Sequence, residues 1–232
     1  MKILAVSDKE DTNFQDFVVN NPDVVKNIDF IVSCGDLSRS YLEFLVDSIR
    51  KPFFFVEGNH ATGNTEKDLN QDYLDKIVDK VYNNEKHFCF GGINLHSRME
   101  IFGDYILAGF EGCMRYNRGE HQYTEKEMAR IVKIVSEKIR IQQIKDFFLR
   151  RKKKKIIVIS HAPMIGVHDK EDLCHQGFKC FRKFCDKFKP EMWFHGHVHY
   201  EGQTREQRSR IGNTTVINVY GMHMITTEDG NL

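Results

Sequence analysis

Residues 192–199 read Met-Trp-Phe-His-Gly-His-Val-His, an apolar run that breaks into three histidines around one glycine. Met192–Phe194 is too short and too aromatic for a helix and reads as a buried strand. Working outward, the same arrangement recurs four times upstream. Ile3–Val6 runs into Asp8, Phe30–Val32 into Gly35-Asp36, Phe53–Val56 into Gly58-Asn59-His60, and Ile156–Ile159 into Ser160-His161. Five apolar strands thus end in polar, metal-friendly residues. In open α/β sheets ligands bind beyond the carboxyl ends of the strands, so the pattern predicts one shared site there. Gly35, Gly58 and Gly196 each precede a candidate ligand, where a residue without Cβ permits a sharp turn and a close backbone approach.

Helical periodicity fills the intervals. Leu42, Leu45, Val46 and Ile49 lie along one face of a helix over Tyr41–Ile49, and Leu74, Ile77, Val78 and Val81 do so over Tyr73–Val81. Thr124 followed by Glu127 forms a capping box for the longest helix. Its apolar positions, Met128, Ile131, Val132, Val135, Ile139, Ile141 and Ile144, recur at helical spacing towards Phe148. Phe88–Phe110 alternates with glycines and predicts hairpins, and Thr214–Val219 predicts a further strand. The order is mixed α/β, expected as a single domain over residues 1–232.

A chain of 232 residues can bury one sizeable core. Its formal net charge of +1 gives no global reason to expect a nucleic acid or membrane partner. The basic run Arg150–Lys155 reads as the solvated end of a helix, where cations favour the negative pole of the dipole. A nuclease would use that run to track a backbone, but no aromatic residues are interleaved for stacking. Six cysteines occur without a C-x-x-C pair, and the apolar N-terminal stretch is too short for a signal-peptide core. Reduced thiols in a cytoplasmic protein are expected.

Two carboxylates, an amide and three imidazoles form a mixed N/O set without thiolate, suited to manganese, iron or zinc. The ligands outnumber the needs of one tetrahedral ion, so two divalent ions sharing a carboxylate are expected.

Asp8, Gly35-Asp36, Gly58-Asn59-His60, His161 and Gly196-His197-Val198-His199 together resemble the calcineurin-like metallophosphoesterase family, in the family's order and over most of the chain. The resemblance implies a four-layer α/β/β/α sandwich with two metal ions at the strand ends. By motif, Asp36 would bridge the ions. Asp8, His199 and the residue two after Asp8 would hold one ion; Asn59, His161 and His197 would hold the other. His60 would assist departure of the leaving oxygen, and a metal-bridging hydroxide would attack a small phosphoester, with diesters favoured over monoesters.

The chain departs from the pattern at two places. Glu10 replaces the usual histidine or asparagine; it is either an oxygen ligand or a surface residue. Arg39 stands where relatives often carry an acid that orients the catalytic histidine. Loops 112–123 and 166–177 are candidate substrate walls, with Arg115 and Arg39 as candidate phosphate contacts. These departures leave an alternative reading, a scaffold that kept the fold and lost the chemistry.

Overall fold

A computed structural model describes residues 1–60, 88–89, 91–199 and 207–227. The expected helix over Tyr73–Val81 lies outside these residues. All five predicted strands form, as β1 (Lys2–Ser7), β2 (Phe30–Ser33), β3 (Phe53–Phe55), β10 (Lys155–Ser160) and β11 (Met192–His195). They divide between two six-stranded sheets. The first runs β14-β1-β2-β3-β5-β4, where β4 is Phe88–Cys89, β5 Gly92–Asn94 and β14 Gly221–Thr226. The second runs β12-β13-β11-β10-β7-β6, where β6 is Met99–Phe102, β7 Tyr105–Phe110, β12 Gln207–Ile211 and β13 Thr214–Asn218. Two further short strands, β8 (Cys113–Met114) and β9 (Gln122–Tyr123), pair with each other across the loop ahead of the long helix.

Strand alternation builds the layers. Ile3 and Ala5 of β1 face Ile157 and Ile159 of β10 in a core between the sheets. Leu4 and Val6 point the other way, onto Phe14, Tyr41, Leu42, Leu45 and Ile49. Those residues come from α1 (Phe14–Asn20) and α3 (Arg39–Ile49), which flank the short α2 (Pro22–Lys26) in the chain. On the second sheet Ile156 and Val158 turn outward to α4 (Glu125–Phe148) and α5 (Lys179–Phe188). Three apolar interfaces between four layers result, the α/β/β/α sandwich that the family resemblance implied. With two buried faces, the central strands need continuous apolar runs, which is why they stood out as such.

The capping box forms as read: Glu127 N–H donates to Thr124 Oγ1, and Thr124 N–H to a Glu127 carboxylate oxygen. The hairpins predicted over Phe88–Phe110 are β4–β5 and β6–β7. Yet β7 also pairs in parallel with β10 and is buried along nearly its whole length. The periodic residues of α4 divide between two faces. Met128, Val132, Val135 and Ile139 are buried in the core, whereas Ile141 and Ile144 are exposed.

Candidate metal centre

Each strand end delivers its ligand candidate to one place. Asp8, Asp36 and Asn59 follow β1, β2 and β3 of the first sheet; His161 and His197 follow β10 and β11 of the second. Three of these residues have positive φ, at 60° for Asp8, 54° for Asp36 and 68° for His197. Left-handed backbone costs a non-glycine residue roughly 1–2 kcal/mol, and such strain concentrates where side-chain aim matters.

His161 is fully buried, and its Nδ1–H donates to the Cys34 carbonyl at 2.7 Å. That bond fixes the ring and leaves Nε2 facing Asn59 Oδ1 at 2.9 Å and Asp36 Oδ2 at 3.3 Å. The Asn59 amide is oriented in turn, because its Nδ2 donates to the Tyr116 hydroxyl at 3.3 Å. His197 Nε2–H donates to the Cys174 carbonyl at 2.8 Å, so the free lone pair of that ring is on Nδ1. Ligand atoms of Asp36, His161 and His197 all lie within 4.8 Å of one another. Backbone groups holding one ring nitrogen so that the other can ligate is the usual support of a metal-binding histidine.

The second half of the centre is more open. Asp8 has a side chain only 1 % exposed, both of its oxygens accept from His197 N–H, and His199 Nε2 lies 3.3 Å from Oδ1. Glu10, the sequence candidate for this half, accepts from Ser38 N–H at the start of α3 instead. That bond occupies one carboxylate oxygen, Oε1, and leaves Oε2 as the one available to ligate.

Glycine is required here mainly for room. A Cβ on Gly58 would lie 1.9 Å from Asp36 Oδ1, and one on Gly196 would lie 2.4 Å from Asp8 Oδ2. The closely approached groups are carboxylates. Gly35 adds a conformational need, with φ at +102°.

Electrostatics favour a cation. Burial raises the pKa of the Asp36 carboxyl, but His161 and the His60 N–H outweigh it and hold the group well below its usual range. Burial likewise disfavours charge on His161, and Asp36 and Asp8 overcome it to push the ring's pKa up. Among the described residues, no lysine or arginine pairs with Asp8 or Asp36. Two nearly buried carboxylates balanced only by imidazoles are poorly compensated, and divalent ions supply what is missing. The donor set and its geometry therefore suit metal.

His60 donates its backbone N–H to Asp36 Oδ1 at 2.8 Å, and its side chain is exposed. The two candidate phosphate contacts are held elsewhere. Arg115 bridges Glu127, at 2.9 Å, and the Gln122 carbonyl; Arg39 pairs with Glu43 within α3. The sequence reading did not single out Tyr116, Cys174 or His175 for the centre. His175 lies beside His197, with ring centroids 5.0 Å apart and the rings tilted by 34°. Tyr116 lies in the loop 112–123, and Cys174 and His175 lie in the loop 166–177. His168 joins a part-buried hydrogen-bonded chain. His195 Nδ1–H donates to Gly196 O, His168 Nδ1–H to His195 Nε2, and Ser209 Oγ–H to His168 Nε2. Burial lowers His168 to about 4.

Residues 1–201 match the family described as calcineurin-like phosphoesterase. The chain belongs to the calcineurin-like phosphoesterase family. In structure, 46 solved chains match it. One aligns at 15 % identity and a TM-score of 0.58, covering 97 % of this chain and 98 % of its own. TT1561 of Thermus thermophilus aligns at 14 % identity and 0.57, with the same coverage. GAP50, titled the anchor in the inner membrane complex of Plasmodium, aligns at 12 % and 0.52, covering 95 % of this chain and 71 % of its own. At such identities the likeness concerns the fold alone. No curated protein matches in sequence. Membership supports metal-dependent hydrolysis of phosphoesters.

Proposed function

We propose that this chain is a single-domain cytoplasmic phosphodiesterase that works with two divalent ions, of manganese, iron or zinc. The observation that carries the reading is the convergence of Asp36, Asn59, His161 and His197 from two sheets around a space with no counter-cation from lysine or arginine among the described residues. Asn59, His161 and His197 would hold one ion, Asp8 and His199 the other, and Asp36 both. Such ions supply Lewis acidity and lower the pKa of a bound water.

The chain's own groups supply the rest. Cys34 and Cys174 carbonyls fix the two buried imidazoles, and Tyr116 turns the Asn59 amide so that its oxygen faces His161. The His60 N–H holds Asp36 from one side, and its exposed imidazole is free to donate to a leaving oxygen, as a general acid must. The diester preference rests on charge. A monoester dianion calls for cationic side chains beside it, and Arg115 and Arg39 are both engaged by glutamates. A diester carries one negative charge fewer. The free thiols of Cys34, Cys113, Cys174, Cys180 and Cys185 support a reducing compartment.

The test is hydrolysis of bis(4-nitrophenyl) phosphate against 4-nitrophenyl phosphate with added manganese. A higher kcat/KM for the diester is expected, with turnover abolished in Asp36→Ala and His161→Ala. Undiminished turnover in either variant refutes the metal centre; a monoester preference refutes the substrate class alone. Metal content without any turnover would support the scaffold instead.

A further inference from the structure

The long helix α4 is apolar on two opposite faces, and only one of them is covered by the described residues. At 100° per residue, Val132, Val135 and Ile139 share the face buried against the second sheet. Ile134, Ile141, Ile144 and Phe148 fall on the opposite side, towards solvent. Ile141 is 65 % exposed, Phe147 78 % and Phe148 76 %, and Leu149 is exposed beside them. Phenylalanines so open are unusual on a soluble surface, where contiguous apolar patches mark an interaction site.

The charge around this patch is one-sided. Residues 140–155 carry eight lysines and arginines and one acid, Asp146. Asp146 is buried and bonds Gln142 within the helix and Lys154 just before β10. That clamp, with Arg150 N–H donating to Phe147 O and Arg151 N–H to Asp146 O, folds the basic segment back against the helix end. Arg150, Arg151, Lys152 and Lys153 are exposed, and among the described residues none of them has a carboxylate partner.

We propose that this end of the molecule docks on an anionic lipid surface, with Ile141, Ile144, Phe147, Phe148 and Leu149 entering the headgroup–acyl boundary and Arg150–Lys153 meeting lipid phosphates. Apolar and aromatic side chains beside a cluster of cations are the composition of an interfacial membrane-binding element. A second copy of this chain is disfavoured, because a two-fold contact sets the unpaired cations against their own counterparts. Nucleic acid would use the cations and could stack on the phenylalanines, but it offers nothing to Ile141, Ile144 and Leu149. The expectation of no membrane partner came from a net charge near zero, which averages away a local excess.

The surface lies at the opposite end of the second sheet from the metal centre. β10 starts at Lys155 beside the patch and ends at Ser160, next to His161, about 20 Å away at roughly 3.3 Å per residue. Docking would therefore leave the metal centre open to solvent, and bound lipid is not the substrate in this arrangement.

The test is flotation of the full chain with vesicles of phosphatidylcholine alone and with about 30 mol % phosphatidylserine, at about 0.15 M and about 0.5 M salt. Binding to anionic vesicles at least about tenfold above neutral ones is expected, weakening at the higher salt. The double variant Phe147→Ser/Phe148→Ser should bind anionic vesicles at least about tenfold less than wild type, with unchanged melting temperature. R151E/K152E/K153E should lose the preference for anionic lipid. Absence of flotation, or wild-type binding by both variants, overturns the proposal. So does salt-sensitive binding to oligonucleotides without vesicle binding, which assigns the surface to nucleic acid. Self-association that the phenylalanine variant abolishes, without vesicle binding, assigns it to a second copy and overturns the proposal too.

Discussion

Gly58→Ala tests whether the metal centre depends on close packing of backbone against carboxylate. Gly58 does not adopt positive φ, so alanine meets no conformational barrier there, and contact alone sets the cost. The added methyl would sit 1.9 Å from Asp36 Oδ1, 2.4 Å from its Cγ and 2.7 Å from its backbone nitrogen. Ordinary contact needs about 3.4–4 Å, so the carboxylate must move by roughly 1–2 Å. Oδ1 would then lose the His60 N–H, now at 2.8 Å, and Oδ2 would leave the His161 ring at 3.3 Å. Overpacking of this kind costs about 1–3 kcal/mol in stability. For a chain of this size that is a fall of roughly 2–12 °C in Tm. A misplacement of about 1 Å among catalytic groups lowers turnover roughly 100-fold. The assay pairs thermal melting of metal-free protein with manganese-dependent hydrolysis of bis(4-nitrophenyl) phosphate and metal content per chain. Gly212→Ala is the control, since Gly212 has φ at +57° and open space around its Cβ position; it should cost about 1–2 kcal/mol of stability and leave turnover intact. The reasoning fails if Gly58→Ala retains wild-type turnover and metal content.

Tyr116→Phe removes the acceptor of the Asn59 amide, and a several-fold fall in kcat is expected, following a loss of about 1 kcal/mol; steady-state kinetics decide it. Thr124→Ala should destabilise by about 1 kcal/mol through loss of the α4 cap, measured by urea unfolding. His168 is held to about 4 by burial, below the unfolded value near 6.5. Its stabilising contribution is therefore complete above about pH 6.5 and declines as pH falls towards 4, by roughly 1.4 kcal/mol per pH unit. Urea unfolding of metal-free protein at several pH values should show that decline, and His168→Gln should make it shallower without abolishing it, because burial also lowers His195 and His197. Stripping metal with a chelator should lower Tm, and restoring manganese should raise it again in wild type more than in His161→Ala.

Much of the site was legible because its ligands sit at strand ends, and strands buried on both faces announce themselves as apolar runs. Asp8, Asp36, Asn59, His161 and His197 could each be placed from a few neighbouring residues. Glu10 and Arg115 could not. Their partners, Ser38 and Glu127, are 28 and 12 residues away, and which contact wins depends on how loops close over the sheet ends. Tyr116 and Cys174 escaped for the same reason. α5 could have been read, since Cys180, Phe181, Phe184 and Cys185 follow helical spacing. The outer apolar face of α4 was visible as Ile141 and Ile144, but periodicity alone does not say which of two faces is covered.

The carboxylates and the amide of the centre come from one sheet and the imidazoles from the other, with the His161–Cys34 hydrogen bond spanning the two. Any ion bound there is consequently a rivet between two half-structures. Its affinity becomes a gauge of how firmly the sheets are docked, and a core substitution far from the ligands, such as Ile159→Val, would register as weaker metal retention. Amide exchange in β2 and β10 should slow together on metal addition, although the two strands belong to different sheets.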